Sequence, residues 1–288
     1  MKKILLLITL LLTSNLSAQD YLYRAINNIN VTMSTTENTE PSEETQEQAD
    51  ANCYTAPVGS IGEWDGCDGK LIVSNNTLRD LIKSGGDYSD SVIFTGQVTD
   101  MSYLFCNFDD TVTGYSTCTQ EDPTIYSISN WDVSNVTNMQ YMFFYADNFN
   151  QNINSWNVSN VTTMKNMFRE SSSFNQPLDA WNTSSLTNAA YMFFKATSFN
   201  QSLNTWNTGN IIKIQSMFFN AINFNQPLNN WNVSNVDYML SMFSSASSFN
   251  QDISSWCLPL ISEKPTNFDL NSGFEGMDNM QPNWGGCP

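Results

Sequence analysis

The sequence predicts an α/β repeat: a solenoid of about six 25-residue strand-plus-helix coils closed by disulfide-bonded caps. Three observations carry this. Trp131, Trp156, Trp181, Trp206, Trp231 and Trp256 are each 25 residues apart. Met-Phe and Phe-Asn-Gln recur at the same period. All six cysteines lie outside the full repeats.

The chain opens on Met1-Lys2-Lys3, an apolar run over 4–12 and a small-x-small site at Leu16-Ser17-Ala18. This is a secretory signal peptide over 1–18, and its apolar run is too short to span a bilayer. No later stretch approaches the length of a transmembrane helix, so the mature chain is expected to have none. An N-terminal segment and acidic spacer follow over 19–52. Its stretch 31–52 holds five Glu, one Asp, no aromatic and no basic residue. Such a segment buries too little apolar surface to offset its ordering entropy, and is read as a disordered tether.

Residues 53–92 read as an N-terminal cap with a strand over 70–73 and a helix over 76–83. The repeat region is 93–256. Val98, Met101, Leu104 and Phe105 match Val136, Met139, Met142 and Phe143, which makes a degenerate first coil with Ile93 in the Trp place. That coil carries a 13-residue insertion at about 106–118. Residues 257–288 form the C-terminal cap. Stacked repeats need such covers, because one unit cannot bury its own apolar face.

Within the coil that begins at Trp156, Trp156 and Val158 belong to a short extended segment. Ser159 or Asn160 can cap a helix. Val161, Met164, Met167 and Phe168 then fall on a helical stripe. Phe174 points back inward, and Asn175-Gln176 turns the chain toward the next strand. The unit has leucine-rich-repeat size, and the predicted architecture is leucine-rich-repeat-like. The Trp column could offer sugar-stacking rings and the Met column a copper site. Their place among the apolar positions makes both core columns. The Asn column at 150, 175, 200, 225 and 250 is expected to be a structural ladder.

Two columns vary between repeats and are expected to be partly exposed. One holds Tyr141, Asn166, Tyr191, Ser216 and Ser241, and the other Phe144, Arg169, Phe194, Phe219 and Ser244. Tyr141, Phe144, Tyr145, Tyr191, Phe194 and Phe219, with Lys195 nearby, form the candidate interaction patch, since contiguous exposed aromatics mark binding surfaces. Mutual half-burial in an outer layer is the alternative account of the same residues.

Composition narrows the chemistry. The 288 residues include no His, 11 Lys+Arg and 28 Asp+Glu, a net charge of −17. No Ser-His-Asp or Cys-His catalysis and no His-ligated zinc is available. The acidic balance argues against nucleic acid. The acidic pairs Asp109-Asp110, Glu121-Asp122 and Asp65 with Asp68 lie in the caps or the insertion. They read as solvated, with at most weak calcium binding and no EF-hand spacing. A carboxylate-only enzyme such as a glycoside hydrolase is the one catalytic class left. No convergent polar site supports it, so no enzyme activity, cofactor or metal is expected.

An even cysteine count in an exported chain reads as disulfides. Consecutive cysteines share a structural unit, giving Cys53–Cys67, Cys106–Cys118 and Cys257–Cys287. Five coils at about 5 Å each separate the last pair from the others, well beyond the ~7 Å reach of a bridge. Cys67 could instead reach Cys106 or Cys118.

Units such as WNVSNVTTMKNMFRESSSFNQPLDA closely resemble the repeats of BspA-like leucine-rich-repeat bacterial surface proteins. The resemblance covers roughly 93–288 and includes a WC…W-x-x-C-P ending. It implies an exported protein, at the cell surface or in the medium, with roles in adhesion to host or matrix proteins and in contact between bacteria. It brings no catalytic motif. The favoured function is a non-enzymatic scaffold for protein–protein interaction or adhesion. The alternative is a carbohydrate-binding module that uses the exposed aromatics.

Overall fold

The structure is a computed structural model that describes residues 52–63, 67–108, 118–120 and 122–287, side chains of 107–108 and 118–120 excepted. The signal peptide, the acidic spacer up to residue 51, Asp65, Asp109, Asp110 and Glu121 lie outside the described residues.

The N-terminal cap holds β1 (Leu71–Ile72), α1 (Asn75–Lys83) and β2 (Ile93–Phe94). β1 and β2 pair in parallel. Ser74 and Thr77 close a reciprocal capping box at the start of α1, which satisfies N–H groups the helix cannot. Lys83 in the last turn complements the helix dipole. Leu78, Leu81 and Ile82 are the buried face. Cys53 and Cys67 are disulfide-bonded, with Cα atoms 6.0 Å apart. They pack with Ala56, Ile72 and Phe94. Gly62 passes so close that a Cβ there would overlap the Cys67 carbonyl, which is why the position has no side chain.

In the repeats, backbone N–H groups alternate between two destinations. Met139, Tyr141, Phe143 and Tyr145 donate to the carbonyls of Thr163, Lys165, Met167 and Arg169 in the next repeat, at 2.9–3.0 Å. Met142, Phe144 and Ala146 donate three residues back, closing turns. The next repeat does the same: Met164, Asn166, Phe168 and Glu170 donate to Asn188, Ala190, Met192 and Phe194. A single-residue parallel bridge runs Asp100, Asn138, Thr163, Asn188, Lys213, Tyr238.

This arrangement corrects the expected helix over 161–168. Those residues form turns, and each repeat has two left-handed residues, such as Tyr141 (φ 59°) and Tyr145 (φ 60°), or Asn166 (57°) and Glu170 (60°). An α-helix needs negative φ throughout and bonds four residues back. Consecutive turns turn Val161, Met164, Met167 and Phe168 inward, so the apolar spacing mimics a helical stripe without a helix. A left-handed residue other than Gly costs roughly 1–2 kcal/mol. Here it lets alternate N–H groups reach the neighbouring repeat.

The N–H groups of Met139, Tyr141, Phe143 and Tyr145 and their equivalents donate toward the C-terminal neighbour, whereas Thr162, Thr187 and Ile212 donate back to Thr137, Thr162 and Thr187, and the two ends are covered differently. At the first coil, Arg79 of α1 donates to the carbonyls of Ser102 and Asp100 and pairs with the Asp100 carboxylate at 3.3 Å. At the last coil, Ser241, Phe243 and Ser245 find carbonyls on Thr266, Phe268 and Leu270. Phe268 and Phe274 stand edge-on to Phe243, at 89° and 88°, and close the ring stack. Buried Asp269 is held by Lys264 at 2.7 Å and Gln281 at 2.6 Å. Cys257 and Cys287 are disulfide-bonded.

The core is built of columns. Phe143, Phe168, Phe193, Phe218 and Phe243 stack at 5.5–5.8 Å between ring centroids. Phe149, Phe174, Phe199, Phe224 and Phe249 stack at 5.7–6.0 Å beside them. The Met column is fully buried. The six column Trp rings are buried; from Trp156 to Trp256 each Nε1 donates to a carbonyl 28 residues earlier, as Trp206 does to Leu178 at 2.9 Å, while Trp131 donates to Tyr88 of the cap. The Trp and Met columns are therefore packing. The Asn ladder is present too: Asn150 Oδ1 accepts from Asn175 N and Gln176 Nε2, and Asn175 Oδ1 does the same for Asn200 and Gln201.

In the insertion, β3 (Cys106–Phe108) and β4 (Cys118–Gln120) pair antiparallel. Cys106 is disulfide-bonded. The Cys118 side chain lies outside the described residues, so the expected Cys106–Cys118 pairing is not described from both ends.

Candidate interaction surface

The left-handed residues set this surface. Tyr141 and Tyr145, like Tyr191 and Lys195, occupy the two positive-φ positions of their repeats. Phe144 and Phe194 sit between them. Because the repeats stack through backbone bonds, equivalent side chains lie over one another.

The six aromatics expected from sequence form two groups, joined by one cation. Tyr141 meets Phe144 at 5.3 Å, and Phe144 meets Tyr145 at 4.4 Å. Phe194 stacks flat on Phe219 at 4.6 Å and 7°, with Tyr191 at 6.1 Å. Arg169 fills the repeat between them. Its guanidinium lies over Phe194 at 4.5 Å, Phe144 at 5.5 Å and Tyr191 at 5.8 Å. Such cation–π contacts are worth about 0.5–1 kcal/mol each at exposed sites. Glu170 sits between two cations, 3.6 Å from Arg169 and 3.5 Å from Lys195.

Burial refines the expected patch. Phe144 is only 5% exposed and serves as a floor, whereas Tyr145 is 37% exposed. Asn166, Ser216 and Ser244 are buried as well, which corrects the expectation that a mixed column is an exposed one. Asn166 is polar because Arg169 Nη1 donates to its Oδ1, at 3.5 Å. Two members were missed. Tyr103 stacks on Tyr141 at 4.6 Å and 11°, and Arg169 is the link between the aromatic groups. Both were in reach of the column alignment, Tyr103 through the match of Met101 to Met139.

Burial raises the phenol pKa of Tyr141, with Tyr191 adding to it and Arg169 opposing it. Burial also raises that of Tyr145, with the Glu170 charge next. Both stay neutral hydrogen-bonding groups at physiological pH.

A second recess, a cavity of about 220 Å³, lies in the N-terminal cap and is lined by Tyr54, Lys70, Phe94, Thr95, Asn130 and Asp132 among others. It is smaller than the ~300–1,000 Å³ of ordinary ligand pockets. The Tyr54 hydroxyl donates to Asp132 Oδ2 at 2.6 Å beside it. Among the described residues, no three His, Cys, Asp or Glu side chains converge as a metal site would require.

The Tyr54–Asp132 link ties the cap to the first full repeat and is sensitive to pH. Burial alone would raise the Asp132 carboxyl, but bonds from Ser134 and Tyr54 outweigh it and hold the carboxyl below its ordinary value. Donation to Asp132, then desolvation, raises the Tyr54 phenol. The link therefore contributes fully between about pH 4 and pH 10. Its contribution is lost as pH falls through the depressed Asp132 pKa, or rises through the raised Tyr54 pKa. Urea midpoints measured from pH 7 to pH 2 should fall more steeply for wild type than for Asp132→Asn. Parallel curves would show that the link carries no stability.

The family described as Mycoplasma protein of unknown function, DUF285, matches residues 91–193, 115–221 and 179–280. The three matches overlap, as they should for a chain that maps onto itself at a 25-residue shift. No curated protein and no solved structure matches the chain.

Proposed function

This chain belongs to the family described as Mycoplasma protein of unknown function, DUF285, a description that names no activity, and from its surface we propose a non-enzymatic scaffold for protein–protein interaction or adhesion. The scaffold is an exported solenoid of stacked 25-residue coils, BspA-like in its Trp, Met-Phe and Phe-Asn-Gln pattern. Backbone bonds repeated between neighbouring units support the solenoid reading. The Cys53–Cys67 and Cys257–Cys287 bridges support export, since disulfides persist in oxidising compartments. Among the described residues no helix is long and apolar enough to cross a membrane.

One observation carries the binding function: the aromatic strip Tyr103–Tyr141–Phe144–Tyr145 continues through Arg169 to Tyr191, Phe194 and Phe219. Tyr and Arg are, with Trp, the residues enriched at interface hot spots. A rigid backbone under them spares the entropy of ordering a loop on binding. The repeat does not need aromatic side chains at these positions, since other repeats place Ser216, Ser241 and Ser244 there.

The test is binding of the mature protein to a panel of purified host-matrix and bacterial surface proteins, beside a glycan array. Saturable binding to a protein should fall at least tenfold in the double variant Phe194→Ser/Phe219→Ser, with the array silent. Matched thermal melts check that the variant folds. Binding that ignores the variant, or that occurs only on glycans, overturns the reading.

A further inference from the structure

The interaction strip is not electrically neutral. Residues 52–288 hold eight basic side chains, and two of them, Arg169 and Lys195, lie on adjacent repeats within this strip. The chain as a whole carries −17. A local excess of cations on so acidic a protein is a specific feature of this face.

Arg169 is held but not saturated. Phe194 and Phe144, from the repeats on either side, bracket its guanidinium. That fixes the plane of the group and strips water from its faces. Among the described residues, its nearest carboxylate, on Glu170, is 3.6 Å from Nε, and its one hydrogen bond, from Nη1 to Asn166, is 3.5 Å long. Charge-assisted bonds of full strength are about 2.7–2.9 Å. Among the described residues, Nε is buried with no hydrogen-bond partner. The side chain is still 30% exposed, so a ligand can reach its outer edge.

Lys195 adds a second cation. Its Nζ is 3.5 Å from Glu170 and 5.5 Å from the Phe194 ring, and its side chain is 43% exposed. Two cations thus share one carboxylate. The next acid, Asp147, lies toward Tyr145 and accepts a hydrogen bond from Ser172. Arg169, Lys195 and Glu170 together leave one uncompensated positive charge, which matches a singly charged carboxylate better than a doubly charged phosphate. A planar guanidinium presents its donors as a fork that fits a carboxylate in two-point contact.

Deepening the scaffold reading, on which it rests, we propose that Arg169 and Lys195 anchor a Glu or Asp side chain of a protein partner. An apolar side chain next to that acid lies on the Phe194–Phe219 stack. The exposed phenol of Tyr145 and the ring of Tyr191 flank the anchor.

The probe is a capped peptide Gly-Leu-Glu-Leu-Gly, compared with its Gln and phosphoserine counterparts and with a hexuronate oligosaccharide. Each is titrated into the mature protein and followed by NMR at the Arg169 Nε–H and the backbone amides of 169–170 and 194–195. The Glu peptide should shift these signals and bind at least tenfold more tightly than the Gln peptide, and binding should weaken as salt rises. Arg169→Lys keeps the charge but loses the fork and should cost about tenfold. Lys195→Gln should cost about threefold, whereas Lys213→Gln, on a different column, should cost nothing. Should Arg169→Lys fold poorly, Lys195→Gln alone decides, because that side chain is 43% exposed and lies outside the core.

Equal binding of the Glu and Gln peptides, tighter binding of phosphoserine or of the hexuronate, or an equal effect of Lys213→Gln overturns the proposal. The protein-panel assay with Arg169→Lys separates the two levels. If panel binding survives Arg169→Lys but falls in Phe194→Ser/Phe219→Ser, only the carboxylate anchor is wrong. If it survives both, the scaffold reading of this face fails as well.

Discussion

Trp206→Ala should destabilise the protein by about 3–5 kcal/mol, while Asn207→Ala beside it should cost under about 1 kcal/mol. Trp206 is 3% exposed, and its ring stacks on Trp181 at 6.2 Å and 12°. Removing it opens a cavity between two repeats. It also removes the Nε1 donor that satisfies the Leu178 carbonyl at 2.9 Å. That carbonyl keeps only the longer bond from the Trp181 N–H, at 3.3 Å, and losing the shorter one costs about 0.5–1.5 kcal/mol in addition to lost packing. Asn207 points to solvent, and its Oδ1 accepts one long bond from Gly209, at 3.3 Å. Its carbonyl, which accepts from Thr183, remains in Asn207→Ala. Urea unfolding of the two variants checks this directly. If Trp206→Ala unfolds at the wild-type midpoint, the Trp column is not the core.

Trp206→Phe separates the two contributions. It keeps most of the ring and loses the donor, so its cost should lie between those of the two Ala variants. A cost equal to that of Trp206→Ala would make the Leu178 bond the dominant contribution.

The columns were legible because each repeat solves the same packing problem with the same residues. Trp, Met-Phe, Phe-Asn-Gln and the aliphatic between them recur wherever a side chain must contact its own copy above and below. Asn150 and its equivalents recur for the same reason, each completing a turn in the following repeat. The path of the backbone between those positions was not legible. Val161, Met164, Met167 and Phe168 have the spacing of a helix. The residues that forbid one, Asn166 and Glu170 at positive φ, and their counterparts Tyr191 and Lys195, are not Gly. Asn tolerates left-handed geometry, but Glu170, Tyr191 and Lys195 give no hint of it. The strain is local, while the bonds that repay it are made to the next repeat, 24 residues on.

The interaction strip was half legible for a related reason. Variation between repeats located Tyr141, Tyr191, Phe194 and Phe219. Variation does not mean exposure, however: Phe144 and Asn166 are buried around Arg169, one as a floor and one as an acceptor. A column that is partly buried around a single charged residue looks the same in sequence as one facing water. The charge of Arg169 was visible. That it connects the two aromatic groups follows only from its place on the repeat between them.

Deleting residues 181–205, one full period, should leave a shorter protein that unfolds cooperatively, whereas deleting 13 residues over 181–193 should abolish that transition. After the full-period deletion Ala180 joins Trp206. Trp206 takes the place of Trp181 and can donate to Ile153, as Trp181 does now. Phe218 replaces Phe193 against Phe168. Asn225 replaces Asn200, and its N–H can reach Asn175 Oδ1 as Asn200 does now. Every backbone donor that pointed at the deleted repeat finds the same carbonyl on its successor. The urea m-value should fall by about a tenth, in line with the lost buried surface. The 13-residue deletion puts Phe194 where Trp181 stood, and each column beyond it is out of step. Met217 and Phe218 would take the places of Asn204 and Thr205, Ile212-Lys213-Ile214 would take those of Phe199-Asn200-Gln201, and the Asn ladder would end at Asn175. Stacked repeats gain their stability from nearest-neighbour contacts, so a phase error at one interface removes that contact altogether. Circular dichroism and urea denaturation of both deletions give the answer. If the two unfold alike, register between repeats does not hold this protein together.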